Sequence, residues 1–104
     1  MEKHFMLDIE ATGIDPEREE LLSIGLLEVD WGGEFWKPGR SREWIVRTDR
    51  VPESQFAKEH MAELYAKCNT APAITPDRLR WELLDFLRSC GTKGVEDTYF
   101  MGWN

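Results

Sequence analysis

Cysteine is nearly absent: Cys68 and Cys90 are the only two, and no CxxC is present. That is too few for a disulfide scaffold, and both read as small hydrophobes in a reducing compartment. Basic residues are also in short supply, with 13 Lys and Arg against 20 Asp and Glu, for a net charge of −7. A protein that grips duplex phosphate through bulk electrostatics is normally basic, which argues against a histone-like or repressor-like DNA binder. A metal-dependent phosphoryl enzyme remains compatible, because divalent cations supply positive charge locally. No apolar run approaches the roughly 18 residues of a membrane helix. The N-terminus, Met1-Glu2-Lys3-His4, has neither the charged n-region nor the apolar h-region of a signal peptide. The expected location is therefore the cytoplasm, with no membrane partner. Internal repeats and low-complexity segments are missing as well. What is present, over 104 residues, is 41% hydrophobic and 32% charged, with five Trp and five Phe. That composition belongs to one small folded domain with a real core.

Strand and helix signals divide the chain in two. From His4 to Glu10 the alternation is that of a strand, with Phe5, Leu7 and Ile9 on one side and Met6, Asp8 and Glu10 on the other. Ala11 to Glu19 reads as a loop, carrying Gly13 and Asp15-Pro16. The nearly continuous apolar run from Leu21 to Val29 fits a central strand covered on both faces. Gly32-Gly33 offers a hairpin turn. Phe35-Trp36 and Trp44 to Arg47 are short strand candidates separated by a turn at Lys37-Pro38-Gly39-Arg40. In the second half, a helix opens at Glu53 or Ser54 and runs to about Lys67, with Phe56, Met61, Leu64 and Tyr65 on one side. A second helix has Thr75 as N-cap, Pro76 at its first position and Asp77 complementing the dipole. Its apolar stripe is Leu79, Leu83, Phe86, Leu87 and Cys90, and Gly91 stops it. Thr98 to Trp103 begins a further strand. Three strands, two helices and the start of a fourth strand make an open α/β pattern that looks cut short.

Asp8 and Glu10 are the sharpest chemical feature. Strand residues two apart share a face, with Cα atoms roughly 6.5–7 Å apart. Two readings follow. At a strand end the two acids simply face solvent. On a covered strand they are costly unless neutralised, and a hard divalent cation with oxygen ligands does that. In two-metal phosphoryl chemistry a carboxylate pair at this spacing can bridge ions about 3.5–4 Å apart.

The segment Leu7-Asp8-Ile9-Glu10-Ala11-Thr12-Gly13-Ile14-Asp15-Pro16, followed by the apolar run from Leu21, resembles the first motif of the DEDD 3′–5′ exonucleases. Within that superfamily it is most similar to the oligoribonuclease and ribonuclease T-like members. The two helices, broken at Asn69-Thr70, resemble the layout of that family, and Met101-Gly102-Trp103-Asn104 resembles the opening of its second motif. The resemblance implies an α/β, ribonuclease-H-like mixed sheet with flanking helices, truncated after the fourth strand begins. Residues 1–104 would be the N-terminal portion of a single exonuclease domain. It implies metal-dependent hydrolysis of 3′-terminal phosphodiesters of short RNA or single-stranded DNA, releasing nucleoside monophosphates. Asp8 and Glu10 would be the catalytic metal ligands, in a site that holds two Mg²⁺ or Mn²⁺ ions when complete. Thr12, Gly13 and Ile14 would lie against the terminal nucleotide, and Asn104 would belong to the substrate site. A plainer account of Gly13 is a loop position requiring positive φ.

The departures from the family pattern are equally definite. The family uses four carboxylates and a His or Tyr general base, and the chain supplies two carboxylates. His4 precedes the first strand and His60 lies on a helix, so neither stands in for that base. Asp30, Asp49, Asp77, Asp85 and Asp97 read as surface charge. The competing expectation is a non-catalytic nucleic-acid or protein interaction module retaining the exonuclease fold. A bare sheet edge and face lead us to expect a homodimer, or a partner chain completing the sheet. Trp31, Trp36 and Trp44 can stack bases, but packing is their expected role. Lys37, Arg40, Arg42 and Arg47 can meet phosphate or guard an edge hairpin.

Overall fold

A computed structural model describes residues 2–13, 17–70 and 72–102. Among them lie strands β1 (Lys3–Ala11), β2 (Leu21–Trp31), β3 (Trp36–Ile45) and β4 (Thr98–Gly102), and helices α1 (Gln55–His60), α2 (Ala62–Cys68) and α3 (Pro76–Ser89). The sheet order is β3-β2-β1-β4. β1 runs antiparallel to β2, β2 antiparallel to β3, and β4 joins β1 in parallel after the helical crossover. The architecture is the expected α/β mixed sheet with flanking helices, and the first strand lies inside it.

Period-two alternation sorts the core onto the two faces. Phe5, Ile24, Leu26 and Trp44 pack with Leu79, Phe86 and Cys90 of α3, which covers one face. The helix that does this is defined by its ends. The Thr75 side chain accepts the N–H of Arg78, Pro76 opens the first turn, and Gly91 follows the last turn at φ +89°. On the opposite face, α1 and α2 bring Ala57, Tyr65 and Cys68 onto Leu22, with Ile45 packed beside them. They cover only one end of that face. Completely buried side chains such as Phe5, Leu22 and Val46 contribute about 1.5–3 kcal/mol each in transfer free energy.

A bulge joins the two layers. Glu10 pairs with Ser23 but Ala11 pairs with Leu21, so Leu22 has no partner on β1. Leu21 stays with the α3-side cluster, and Leu22 joins the α1–α2 cluster. The Leu22 carbonyl is still satisfied, accepting from the Val46 N–H at 2.9 Å and the Cys68 thiol at 3.3 Å.

Two expectations are corrected. β3 is one continuous strand and not two short ones flanking a turn. It is an edge strand, so the missing N–H of Pro38 removes no ladder bond. A bulge opposite Leu27 to Val29 absorbs one extra residue, and the Arg40 N–H there is held by the Glu28 carboxylate at 3.4 Å. The single helix expected to reach Lys67 is two helices meeting at Met61, whose φ is −122°. That break spoils the common stripe: Tyr65 is buried while Phe56 is 65% exposed. The tryptophans pack as expected, Trp44 in the core and Trp31 and Trp36 at the edge of the sheet. Trp44 meets Phe86 edge-on at 5.7 Å and donates to Glu82, whereas Trp31 and Trp36 touch each other in the open at the end of the hairpin.

No helix among the described residues is long and apolar enough to cross a membrane.

Candidate active site: a carboxylate pair and a clasped loop

Asp8 lies opposite Gly25 and Glu10 opposite Ser23, on the face that α3 does not cover. Asp8 lines an open groove of about 580 Å³ with Met6, Gly25, Leu27 and Glu43. Glu10 lines the next hollow, about 470 Å³, with Thr12, Gly13, Phe56 and Met61. Both carboxylates are exposed. Burial therefore does not force their neutralisation, and the desolvation argument for a metal has no hold here. What stands is chemical: two oxygen donors on one face, next to an apolar-walled hollow. Among the described residues no three His, Cys, Asp or Glu come together as a metal site. A two-carboxylate donor set suits a hard cation such as Mg²⁺ that keeps several waters, and it does not complete a site alone.

The loop after β1 is fastened by Arg50. Its Nε meets Glu20 at 2.6 Å, and its Nη1 donates to Glu19 at 3.0 Å and to the Thr12 hydroxyl at 3.2 Å. Its Nη2 donates to the carbonyl of Arg18 at 2.5 Å. The Thr12 hydroxyl in turn donates to Glu19 and accepts the Glu20 N–H, both at 2.9 Å. Thr48, itself buried, donates to Glu20 at 3.0 Å. The backbone carbonyl of Arg50 is held by Asn69 at 3.3 Å. Thr12 is thus engaged in holding the loop. Gly13 does not adopt positive φ, which belongs to Gly33 and Gly91. It is glycine because a Cβ would collide with the Glu19 carboxylate. Ile14 and Asn104, the remaining expected substrate contacts, lie outside the described residues.

Other ionisable groups divide cleanly. His4 is packed between the rings of Trp36 and Tyr99 at 5.2 Å each, and His60 lies against Phe56 at 4.8 Å. Burial pushes the thiols of Cys68 and Cys90 up, away from thiolate chemistry. Burial likewise raises the Tyr65 phenol, with Arg50 opposing. The basic stretch is tied to the α3 side: Arg42 pairs with Glu82, and Arg40 donates to the Ser89 carbonyl at 2.6 Å.

Two residues of the site have no advance signal of this role. Arg50 finds partners 31 and 38 residues away, which no local pattern reveals. Phe56 falls in the first turn of α1, where helical spacing assigns it to the core. The structure turns it outward into the hollow of Glu10.

No protein-family model matches the chain, and no curated protein matches it in sequence. Among solved structures, the crystal structure of a full-length 3′-exonuclease superposes with a TM-score of 0.66 at 15% identity. The match covers 97% of this chain and 45% of that protein. This likeness shows a shared fold, and the chain spans less than half the length of that neighbour.

Proposed function

We propose that this chain carries the first-strand half of a metal-dependent 3′–5′ exonuclease site acting on short RNA or single-stranded DNA. One observation carries the reading: Asp8 and Glu10 share an open sheet face beside a hollow walled by Gly13, Phe56 and Met61. The fold shared with a 3′-exonuclease supports it. Asp8 and Glu10 would hold Mg²⁺ or Mn²⁺, which when bound activates water and stabilises the leaving oxygen. Phe56 offers a ring face for the terminal base, and stacking of this kind is tolerant of base identity. The Arg50 clasp keeps the Thr12–Gly13 backbone at the edge of that hollow. Neither a general base nor the remaining carboxylates are among the described residues, so the chain alone is expected to bind and not to hydrolyse.

Calorimetry with Mn²⁺ tests the assignment. Weak binding, most of it lost in Asp8→Ala, is expected. Tight binding, or binding indifferent to Asp8 and Glu10, overturns it. A labelled oligonucleotide should be shortened from its 3′ end by a protein extended beyond Asn104 and left intact by the 104-residue chain. Robust trimming by the chain itself, abolished in Glu10→Ala, would show its site to be complete. The second reading, a non-catalytic module of the same fold, draws on the exposure of both carboxylates. It requires oligonucleotide binding unchanged by Asp8→Ala and by chelator.

A further inference from the structure

A third hollow, about 500 Å³, lies between the end of β3 and the first turns of α3. It is on the opposite face of the sheet from Asp8 and Glu10. Arg42, Arg47 and Arg78 line it, and among the described residues that do so Glu82 is the one carboxylate. In a chain of net charge −7 this is a local reversal of sign, three guanidinium groups against one acid. All three are held in place. Arg42 lies 5.1 Å over the Trp44 ring and pairs with Glu82. Arg78 Nε donates to Glu82 at 2.8 Å, and Arg47 Nη2 donates to the Ala73 carbonyl at 3.2 Å. The wall bearing Ala73 is pinned to the end of β3. There the Ile74 N–H donates to the Ile45 carbonyl at 2.9 Å, and the Arg47 N–H to the Ile74 carbonyl at 2.7 Å. A guanidinium carries five N–H donors, so these contacts use only part of each fork.

We propose that this hollow is a binding site for a phosphomonoester dianion, either inorganic phosphate or the terminal phosphate of a nucleotide. Charge selects the class. A phosphomonoester brings about −1.5 to −2 at pH 7, which matches the surplus of two guanidinium groups over the carboxylate, whereas a phosphodiester brings only one charge. The donors match as well, because planar forks take phosphate oxygens in pairs. Glu82 already displays that chemistry, each of its oxygens engaging one guanidinium. A phosphate takes the remaining donors, with Arg47 closing the third side. The proposal does not rest on the carboxylate pair of β1.

The indole N–H of Trp44, which donates to Glu82 at 3.3 Å, is the reporter, read in nitrogen-15 spectra of the metal-free chain with chelator present. Inorganic phosphate, titrated at constant ionic strength, is expected to shift it saturably. Arg42→Met and Arg47→Met should each raise the dissociation constant about tenfold or more. Glu82→Gln keeps an acceptor oxygen and removes the competing charge, so it should tighten binding. Glu63→Gln, an equal change of net charge on an exposed residue of α2, should not. Asp8→Ala should leave the titration unchanged, so this site and the exonuclease reading fail separately. A nucleoside monophosphate that binds tighter than phosphate identifies the nucleotide as the source, and equal binding identifies the ion. An oligonucleotide with hydroxyl ends, bearing phosphodiesters only, should bind about tenfold more weakly than either. Circular dichroism confirms that each variant folds. An unmoved indole signal, binding indifferent to both arginine variants, equal tightening in Glu63→Gln, or equal affinity for the hydroxyl-ended strand would overturn the proposal.

Discussion

The guanidinium of Arg50 meets the carboxylate of Glu19 at 3.0 Å, bridging residues 31 apart in sequence. That contact is one strand of a knot that also holds Thr12, Arg18 and Glu20. An isolated pair as exposed as this contributes little. Here the fork-shaped donor engages four acceptors at once, and it fixes a loop that no regular ladder holds.

Arg50→Met is therefore expected to lower stability by about 1–2 kcal/mol. Its clearer effect should be local, with faster amide exchange at residues 12–13 and 18–20 than in the core. Arg50→Lys should not restore protection, because an ammonium cannot reproduce the fork. Hydrogen exchange read by mass spectrometry distinguishes these outcomes. Protection unchanged in Arg50→Met would show that the loop is held by other means.

Gly13→Ala should be costly for a steric reason. The new methyl meets a Glu19 carboxylate that Thr12 and Arg50 hold in place. Overpacking of this kind costs about 1–3 kcal/mol. Shortening the obstacle should relieve it, so Gly13→Ala added to Glu19→Ala should destabilise much less than Gly13→Ala alone. A denaturant-unfolding cycle over the four proteins measures the coupling. Additive effects would remove the collision as the reason for glycine.

Acid sensitivity should trace in part to Glu82. A hydrogen bond from Arg78 holds its carboxyl below the ordinary 4.5, aided by Arg42 and Trp44 and opposed by burial. A depressed folded-state value favours the folded protein at pH above the unfolded-state value. That contribution fades as pH falls from about 4.5 through the folded-state value. Stability measured from pH 7 to pH 2 should fall less steeply in Glu82→Gln than in the parent. Parallel profiles would exclude Glu82 as a contributor.

The legible parts of this chain are those whose cause is local. β1 follows from the alternation of Phe5, Leu7 and Ile9 against Met6, Asp8 and Glu10, and the same period of two puts both carboxylates on one face. α3 follows from Thr75, Pro76 and Gly91. Illegibility begins where the cause is distant. Lys37-Pro38-Gly39-Arg40 carries turn chemistry, and only the place of β3 at the edge of the sheet lets the strand continue through it. Whether Asp8 and Glu10 are covered depends on what packs over their face, which no spacing within β1 records. Arg50 is silent in sequence because its partners are on the far side of two strands. Phe56 follows helical spacing correctly as far as Met61, and the break there turns it away from the core that the spacing promises.

The unpaired Leu22 places two neighbouring leucines in different cores. Leu21 is among the last apolar contacts of the α3 layer, and Leu22 anchors the α1–α2 layer. The two layers are therefore mechanically in series at this corner, linked by a single peptide unit directly opposite Glu10 and Ala11. A shift of α2 transmitted through Cys68 to the Leu22 carbonyl has a short path to the strand that carries the carboxylates. Deleting Leu22 would restore a regular alternation with Leu21 still opposite Ala11 on the α3 side, and it would remove the side chain on which α1 and α2 pack. The irregularity acts as a phase marker: it sets how the helices on one face are placed against those on the other.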